Sequence, residues 1–240
     1  NLAKQLFHYS LPLCLNSVAY WFLTSFNRVV IVNILGESQN GYFAIASKFS
    51  VALNLVGTCF TLAWQETAYK KEGEHGGSGA FYSKASDLYI KLLLMGTICL
   101  LPAIGVVFKY MVNQNYDSAR VLVPLSLLGT AASIYSSFLG SVFGAIKKTG
   151  IIFTSTLTAS IVNVVIIYLM IRNIGLQAAN ISFLAGFIAN CIIRIVMLQK
   201  KIGFHFSFKP FFVYVPLFCV AAYVFQTQGI IANAIILLAA

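Results

Sequence analysis

The chain has 240 residues, of which 59% are hydrophobic and only 9% are charged, and its formal net charge is +10. A soluble domain carries about 25% charged residues, so this composition excludes an ordinary water-soluble enzyme and a disordered chain. The positive charge does not indicate nucleic acid as a partner, because the basic residues lie between apolar runs, as the positive-inside rule describes for membrane proteins.

Seven apolar runs are each long enough to cross the roughly 30 Å hydrocarbon core of a bilayer as a helix. In chain order they are 11–35, 41–67, 88–112, 119–146, 150–171, 175–198 and 211–225. The predicted fold class is therefore all-α, a polytopic helical membrane protein. A truncated eighth run begins at Ile230, and the chain starts at Asn1 without an initiator methionine. We expect a fragment that is cut at both ends.

The basic residues between the runs are distributed unequally between the two sides of the predicted membrane domain. Three of them, Lys109, Arg120 and Arg172, fall on one side, and ten lysines fall on the other. An excess of Lys and Arg marks cytoplasmic loops, so the Lys-rich side is predicted to be cytoplasmic. The longest polar connection, 69–84, lies on that side and is interpreted as a flexible linker. The ten lysines are Lys4, Lys70, Lys71, Lys84, Lys91, Lys147, Lys148, Lys200, Lys201 and Lys209.

The remaining three basic residues, Arg28, Lys48 and Arg194, lie more than three residues from either end of their runs. Arg28 and Lys48 are each about seven residues from the outer end of their run, which predicts a similar depth for both. A cation at a span centre costs about 2.5–3.5 kcal/mol on insertion scales, so both are expected to face a protein interior or a wet cavity. Arg194 lies closer to the cytoplasmic side and is expected to extend its side chain to the membrane surface.

Polar residues accompany these cations at helical spacing. In the first run, Thr24 shares a stripe with Arg28, and Tyr20 and Asn27 lie on an adjoining stripe. The second run carries one polar face formed by Ser47, Ser50, Asn54, Thr58, Thr61 and Gln65. The fourth run has small residues at four-residue spacing, which favour close helix packing. The candidate substrate-binding residues are Arg28, Lys48, Asn27, Thr24, Tyr20, Asn54 and Gln65.

Arg28 and Lys48 have no acidic partner at their depth, because all six acids lie in loops or near span ends. The partner is either a carboxylate in a missing part of the protein or the phosphate of an anionic substrate or lipid. The sequence has no pair of intramembrane carboxylates, no catalytic motif and no cluster of metal ligands. We therefore predict that the protein is not an enzyme and has no cofactor or metal.

Several short motifs occur in a specific order along the chain. They are LeuProLeu at 11–13, AsnArg at 27–28, LeuGly at 35–36, GlyTyrPheAla at 41–44, LysPheSer at 48–50, AlaTrp at 63–64 and LysLysThr at 147–149. In order and spacing they resemble the second half of the Wzx-type oligosaccharide flippases, which are polysaccharide biosynthesis proteins of the MOP exporter superfamily. The family often has Asp where this chain has Asn27, so proton coupling at that position is not expected.

The resemblance implies transport of undecaprenyl-diphosphate-linked oligosaccharide units, such as O-antigen repeats for lipopolysaccharide, across the bacterial inner membrane. It implies two six-helix lobes around a cavity that opens to each side in turn. Residues 1–200 would form the C-terminal lobe and 201–240 part of an additional helix pair. The implied partners are the missing N-terminal lobe, membrane lipid and the polysaccharide polymerase machinery. Arg28 and Lys48 would receive the diphosphate.

Two alternative functions remain open at this point. A MATE-type multidrug antiporter would use a buried carboxylate, which only the missing lobe could supply. A membrane-embedded glycan polymerase would need catalytic groups in an outer loop, and the outer loops here are short. In either case a lone lobe would expose polar stripes to lipid, so we expect it to be poorly stable by itself.

Overall fold

The computed structural model describes residues 2–75, 79–111 and 114–227, and these ranges form helices and no strands. The helices are α1 (Leu2–Thr24), α2 (Phe26–Leu35), α3 (Glu37–His75), α4 (Gly79–Met111), α5 (Val123–Ala145), α6 (Thr149–Ile174), α7 (Gln177–Ile202) and α8 (Lys209–Gln226), with a 3-10 segment at Gln114–Leu122 before α5. Seven spans within the described ranges are long and apolar enough to cross a membrane, with α1 and α2 together forming the first. The protein is therefore an all-α polytopic membrane protein, as predicted. The expected eighth run, from Ile230, lies outside the described residues.

The region predicted as a flexible linker is mostly helical, so that prediction was wrong. Helix α3 continues to His75 and α4 begins at Gly79. The residues 69–75 include two lysines and two glutamates, which have good helix propensity. Because α3 has 39 residues, it is about 58 Å long and exceeds the thickness of a bilayer. Its polar last turns can therefore stay helical outside the hydrocarbon core.

The first span contains a break in its helix, and the chain reverses direction at the outer end of this span. The chain interrupts the helix at Ser25, whose backbone N–H still donates to Trp21 O at 2.8 Å. Helix α2 ends at Leu35, and the next residue, Gly36, has a φ of 93° and donates its N–H to Ile31 O at 3.1 Å. A positive φ at a helix C-terminus favours glycine because it has no Cβ. This turn packs α2 against the start of α3.

Helix α5 is the centre of the bundle. Of the residues in the most apolar part of its span, 67% are buried, compared with 22% for α3. Helices α3 and α7 pack on α5, α6 packs on α7, and α1 packs on α6. Helices α1 and α3 therefore flank α5 and α7 from two sides without forming an extensive interface with each other. This arrangement leaves a groove whose floor is α5 and α7.

A polar cavity between the spans

A cavity of about 240 Å³ lies in this groove, in the half of the bundle where α3, α5 and α7 reach their Lys-rich ends. Helices α1 and α3 form its walls, α5 and α7 form its floor, and Ile152 of α6 contributes one side. Helix α5 presents three serines and two glycines to it. We call it the Arg194 cavity. Its other polar lining residues are Asn16, Tyr20, Gln65, Tyr69, Asn190 and Arg194.

Arg194 is buried at the floor of this cavity, with 5% of its surface exposed. Its Nε donates to Ser155 Oγ at 3.0 Å, and its Nη2 donates to Thr156 Oγ1 at 3.1 Å. Its Nη1 donates to Ser136 Oγ at 3.0 Å and to the Ser136 carbonyl. These four acceptors are all uncharged. Within the described residues, Arg194 forms no ion pair, so its positive charge is held in place without being neutralised.

The prediction that Arg194 extends to the membrane surface was wrong. Its Cα lies eight residues before Ile202, about 12 Å from the end of α7, and the side chain turns towards α5. Gly140 leaves the necessary space, because a Cβ there would lie 2.8 Å from Nη1. A Cβ on Gly144 would likewise lie 2.6 Å from Tyr69 Oη. The small residues of α5 therefore accommodate two polar side chains from other helices.

Two asparagine carbonyl oxygens of the cavity have no hydrogen-bond partner among the residues that the structure describes. Asn16 Oδ1 and Asn190 Oδ1 are both inaccessible and unbonded, and Asn190 as a whole is 1% exposed. A buried acceptor without a donor costs about 1–3 kcal/mol. Asn190 lies one turn before Arg194 on α7, so an unneutralised cation and an unsatisfied acceptor border the same cavity.

Two of the seven candidate substrate-binding residues, Tyr20 and Gln65, line this cavity. The Tyr20 hydroxyl lies 3.3 Å from Ser133 Oγ, which links α1 to α5. Thr24 donates to the Tyr20 carbonyl at 2.9 Å, within its own helix. Asn54 is exposed on α3 and does not line the cavity.

Asn27 lies in a separate buried network between the first span, α6 and α7. Its Nδ2 donates to the Ala179 carbonyl at 2.9 Å, to Ser182 Oγ at 3.1 Å and to Asn163 Oδ1 at 3.2 Å. Asn163 Nδ2 donates back to Asn27 Oδ1 at 2.8 Å and to the Phe22 carbonyl at 3.1 Å. The network joins three spans, and Asn27 is 1% exposed, so little of Asn27 is left for a ligand.

Arg28 and Lys48 are both exposed, and neither side chain bonds to another described residue. Lys48 lies nine residues before Gly57, which places it on the opposite side of α3. Gly57 faces α5, because a Cβ there would lie 2.5 Å from Ile134. Arg28 is about 10 Å from the end of α2 and Lys48 about 16 Å from the start of α3, so their depths differ by about one turn. Neither lines the Arg194 cavity.

The candidate substrate-binding residues left out seven polar residues that line the cavity: Asn16, Tyr69, Ser136, Ser137, Ser141, Asn190 and Arg194. A signal was present, because Asn16 with Tyr20, Gln65 with Tyr69, and Asn190 with Arg194 are each four residues apart on one helix. Such pairs lie on one face, one turn apart. Three pairs on three apolar helices indicate a shared polar interior.

Comparisons of the chain with protein-family models, with curated proteins and with solved structures found no match. The fold and the cavity together define a class, a polytopic α-helical membrane protein with a cationic, hydroxyl-lined cavity between its spans.

Proposed function

We propose that the protein is a flippase that moves undecaprenyl-diphosphate-linked oligosaccharide units from the cytoplasmic to the periplasmic leaflet of the bacterial inner membrane. The observation that carries this proposal is the Arg194 cavity, a polar space among membrane-spanning helices. Its described lining contains amides, hydroxyls and one guanidinium but no acidic side chain. Amides and hydroxyls suit the hydroxyl groups of a glycan, whereas a cationic drug would require a carboxylate.

The proposal assigns the diphosphate of the substrate to Arg28 and Lys48. Both cations lie within spans and are exposed without an ion pair to any described residue. An exposed cation at this depth is unfavourable against hydrocarbon, so it requires water or an anion. Arg can hold two phosphate oxygens through its planar fork, and Lys contributes a point charge. The two side chains lie on different helix faces and at different depths, so each would contact the diphosphate separately.

The proposed mechanism is alternating access between two lobes. In this account the six spans from α1 to α7 form one lobe, and α8 begins an additional helix pair. The groove between α1 and α3 supports this, because polar residues of both helices border a space that neither helix closes. A second lobe facing the groove would complete a central cavity, and many transporters bind substrate at the interface between repeats.

The test is a leaflet-resolved measurement of lipid-linked oligosaccharide in cells that express the full-length protein. Arg28→Ala and Lys48→Ala are made separately and together, and membrane insertion is checked for each. Cytoplasmic accumulation of the substrate is expected in both single variants and is larger in the double variant.

Matched controls come from cations elsewhere in the chain. Arg172→Ala removes an exposed arginine from the last turn of α6, and Lys91→Ala removes a lysine that pairs with Asp87 at 2.7 Å. Both controls are expected to export normally. Normal export by the Arg28→Ala, Lys48→Ala double variant would contradict the assignment of the diphosphate.

A further inference from the structure

We propose that four lysines at the Lys-rich end of the bundle form a binding site for the headgroup of an anionic phospholipid. The four are Lys147, Lys148, Lys200 and Lys201, and we call them the lysine cluster. They do not line the Arg194 cavity. The proposal concerns the surface that the protein presents to the membrane, so it does not depend on the proposed transport function.

The packing of α6 on α7 brings the cluster together. Lys148 lies seven residues before Ser155, and Lys201 lies seven residues after Arg194. A hydrogen bond of 3.0 Å joins Ser155 to Arg194. Seven residues make about two turns and about 10 Å, so each lysine lies on nearly the same helix face as its bonded residue and equally far beyond it. Because the axes of packed helices are about 8–10 Å apart, Lys148 and Lys201 occupy neighbouring positions, and all four side chains of the cluster are exposed.

No acidic side chain of the described residues pairs with the cluster. The sequence has no acidic residue after Asp117, so α5 to α8 contribute only cations to this end of the bundle. The acids on this side belong to α3 and α4, and Asp87 of α4 pairs with Lys91 at 2.7 Å. None of the four cluster side chains has an ion pair or a hydrogen bond to a described residue. Neighbouring like charges repel one another, so an anion bound between them would relieve this repulsion.

The backbone of Lys147 is a second observation that supports a binding role. Lys147 has a φ of 56° in the turn between α5 and α6. Its N–H donates to the Gly144 carbonyl at 3.1 Å, and the N–H of Lys148 donates to the Phe143 carbonyl at 2.9 Å, so the turn closes the end of α5. Such a position usually holds glycine, because a Cβ is unfavourable at positive φ. A lysine here destabilises the turn, and residues in such a conformation are often found at functional sites.

The position of the cluster favours a membrane lipid as the source of the anion. Helices α6 and α7 each have 26 residues and are about 39 Å long, which exceeds the roughly 30 Å hydrocarbon core. The lysines at their ends therefore lie at the level of the lipid headgroups. On α7, Ile192, Val196 and Lys200 are all exposed at four-residue spacing, so an acyl chain packed along the first two would bring its phosphate to Lys200. Lysines beside a span each strengthen the attraction to anionic lipid about fivefold.

The test measures lipid binding to the purified full-length protein in neutral detergent by native mass spectrometry. The probe is phosphatidylglycerol, and it is compared with phosphatidylethanolamine of the same acyl chains, which has no net charge, and with glycerol 3-phosphate, which has no acyl chain. The variant is Lys148→Gln, Lys201→Gln. The matched control, Lys91→Gln, Arg172→Gln, removes the same charge at distant positions. Arg172 is about 36 Å from Lys148 along α6, and Lys91 is about 18 Å along α4 from Gly79, which adjoins the end of α7.

Phosphatidylglycerol is expected to bind at least about 25-fold more tightly than phosphatidylethanolamine. The Lys148→Gln, Lys201→Gln variant should lose about 25-fold in affinity for it, at about fivefold for each lysine. The control should stay within about twofold of wild type, because its charges lie beyond the screening length of about 8 Å. Equal affinity for the two lipids, or an equal loss in the control, would overturn the proposal. Equally tight binding of glycerol 3-phosphate, or much tighter binding of undecaprenyl diphosphate, would assign the cluster to a soluble anion or to the transported lipid and overturn it as well.

Lys147→Gly separates binding from folding. Glycine adopts a φ of 56° without strain, so the turn is kept while one charge of the cluster is lost. Affinity for phosphatidylglycerol should fall about fivefold, whereas the lipid-free protein should unfold at the same temperature as wild type or at a higher one. Unchanged affinity, or a lower unfolding temperature without lipid, would contradict the role of Lys147 in binding.

Discussion

Replacing Arg194 by methionine should change the stability of the protein much less than its burial suggests. The substitution removes four hydrogen bonds to Ser136, Ser155 and Thr156. Side-chain hydrogen bonds between membrane helices average about 0.6 kcal/mol and reach about 1.7 kcal/mol, so the total loss is about 2–7 kcal/mol. Removing a charge from within a span recovers about 2.5–3.5 kcal/mol.

The lower part of the range applies because the acceptors are not left stranded. Ser155 and Thr156 each also donate to the Ile152 carbonyl, at 3.0 and 2.9 Å, and therefore lose only an acceptor contact. The net cost of Arg194→Met is expected to be about 0–2 kcal/mol. Arg194→Lys keeps the charge but cannot reach all the acceptors with one ammonium group, so it should cost about 2–4 kcal/mol.

Reversible unfolding of the full-length protein by SDS in mixed micelles measures both free energies. The expected order of stability is wild type, then Arg194→Met, then Arg194→Lys. A cost above about 4 kcal/mol for Arg194→Met, or a more stable Arg194→Lys variant, would show that Arg194 contributes mainly to helix packing. That result would refute the expectation that the unneutralised charge of Arg194 offsets most of the stability from its hydrogen bonds.

Three further predictions use the same unfolding assay or hydrogen exchange. Gly140→Ala should cost about 1–3 kcal/mol, because the added Cβ would meet the buried guanidinium at 2.8 Å, whereas Gly150→Ala meets nothing within 4 Å and should be neutral or slightly stabilising. Asn27→Leu should cost about 1–3 kcal/mol, because it leaves Asn163 partly unbonded. The double variant with Asn163→Leu should cost less than the sum of the two single changes, and additive costs would contradict a direct interaction between the two residues. Arg120→Gln removes donors to the Phe225 carbonyl and ring contacts at 4.8 and 5.7 Å, so backbone exchange in the last turn of α8 should accelerate, and unchanged exchange there would contradict this role.

The fold class and the number of spans could be predicted because both depend on local properties. A run of about 20 apolar residues crosses a bilayer whatever surrounds it. The end of α3 and the start of α4 could not be predicted from hydropathy, because hydropathy indicates where a chain leaves the hydrocarbon core and not where a helix ends. The polar sequence 69–75 therefore gave a linker where the structure has helix.

The candidate site depended on contacts between distant parts of the chain, and these limited what sequence could reveal. The direction of Arg194 is decided by space at Gly140, 54 positions away, and by hydroxyls on α6. Asn27 meets its main partner, Asn163, 136 positions away. The polar face of α3 was also divided in the structure. Ser50 is buried and lies 2.8 Å from Ser126 Oγ, whereas Asn54 is exposed.

The proposed function requires this membrane protein to move a lipid-linked oligosaccharide between leaflets. The most direct measurement reconstitutes the purified full-length protein in vesicles that contain undecaprenyl-diphosphate oligosaccharide in one leaflet and follows its arrival in the other. The account predicts movement that depends on the protein, that is reduced by Arg28→Ala and that is retained in Arg172→Ala. Movement at the rate of protein-free vesicles, in preparations whose folding is confirmed, would contradict the account.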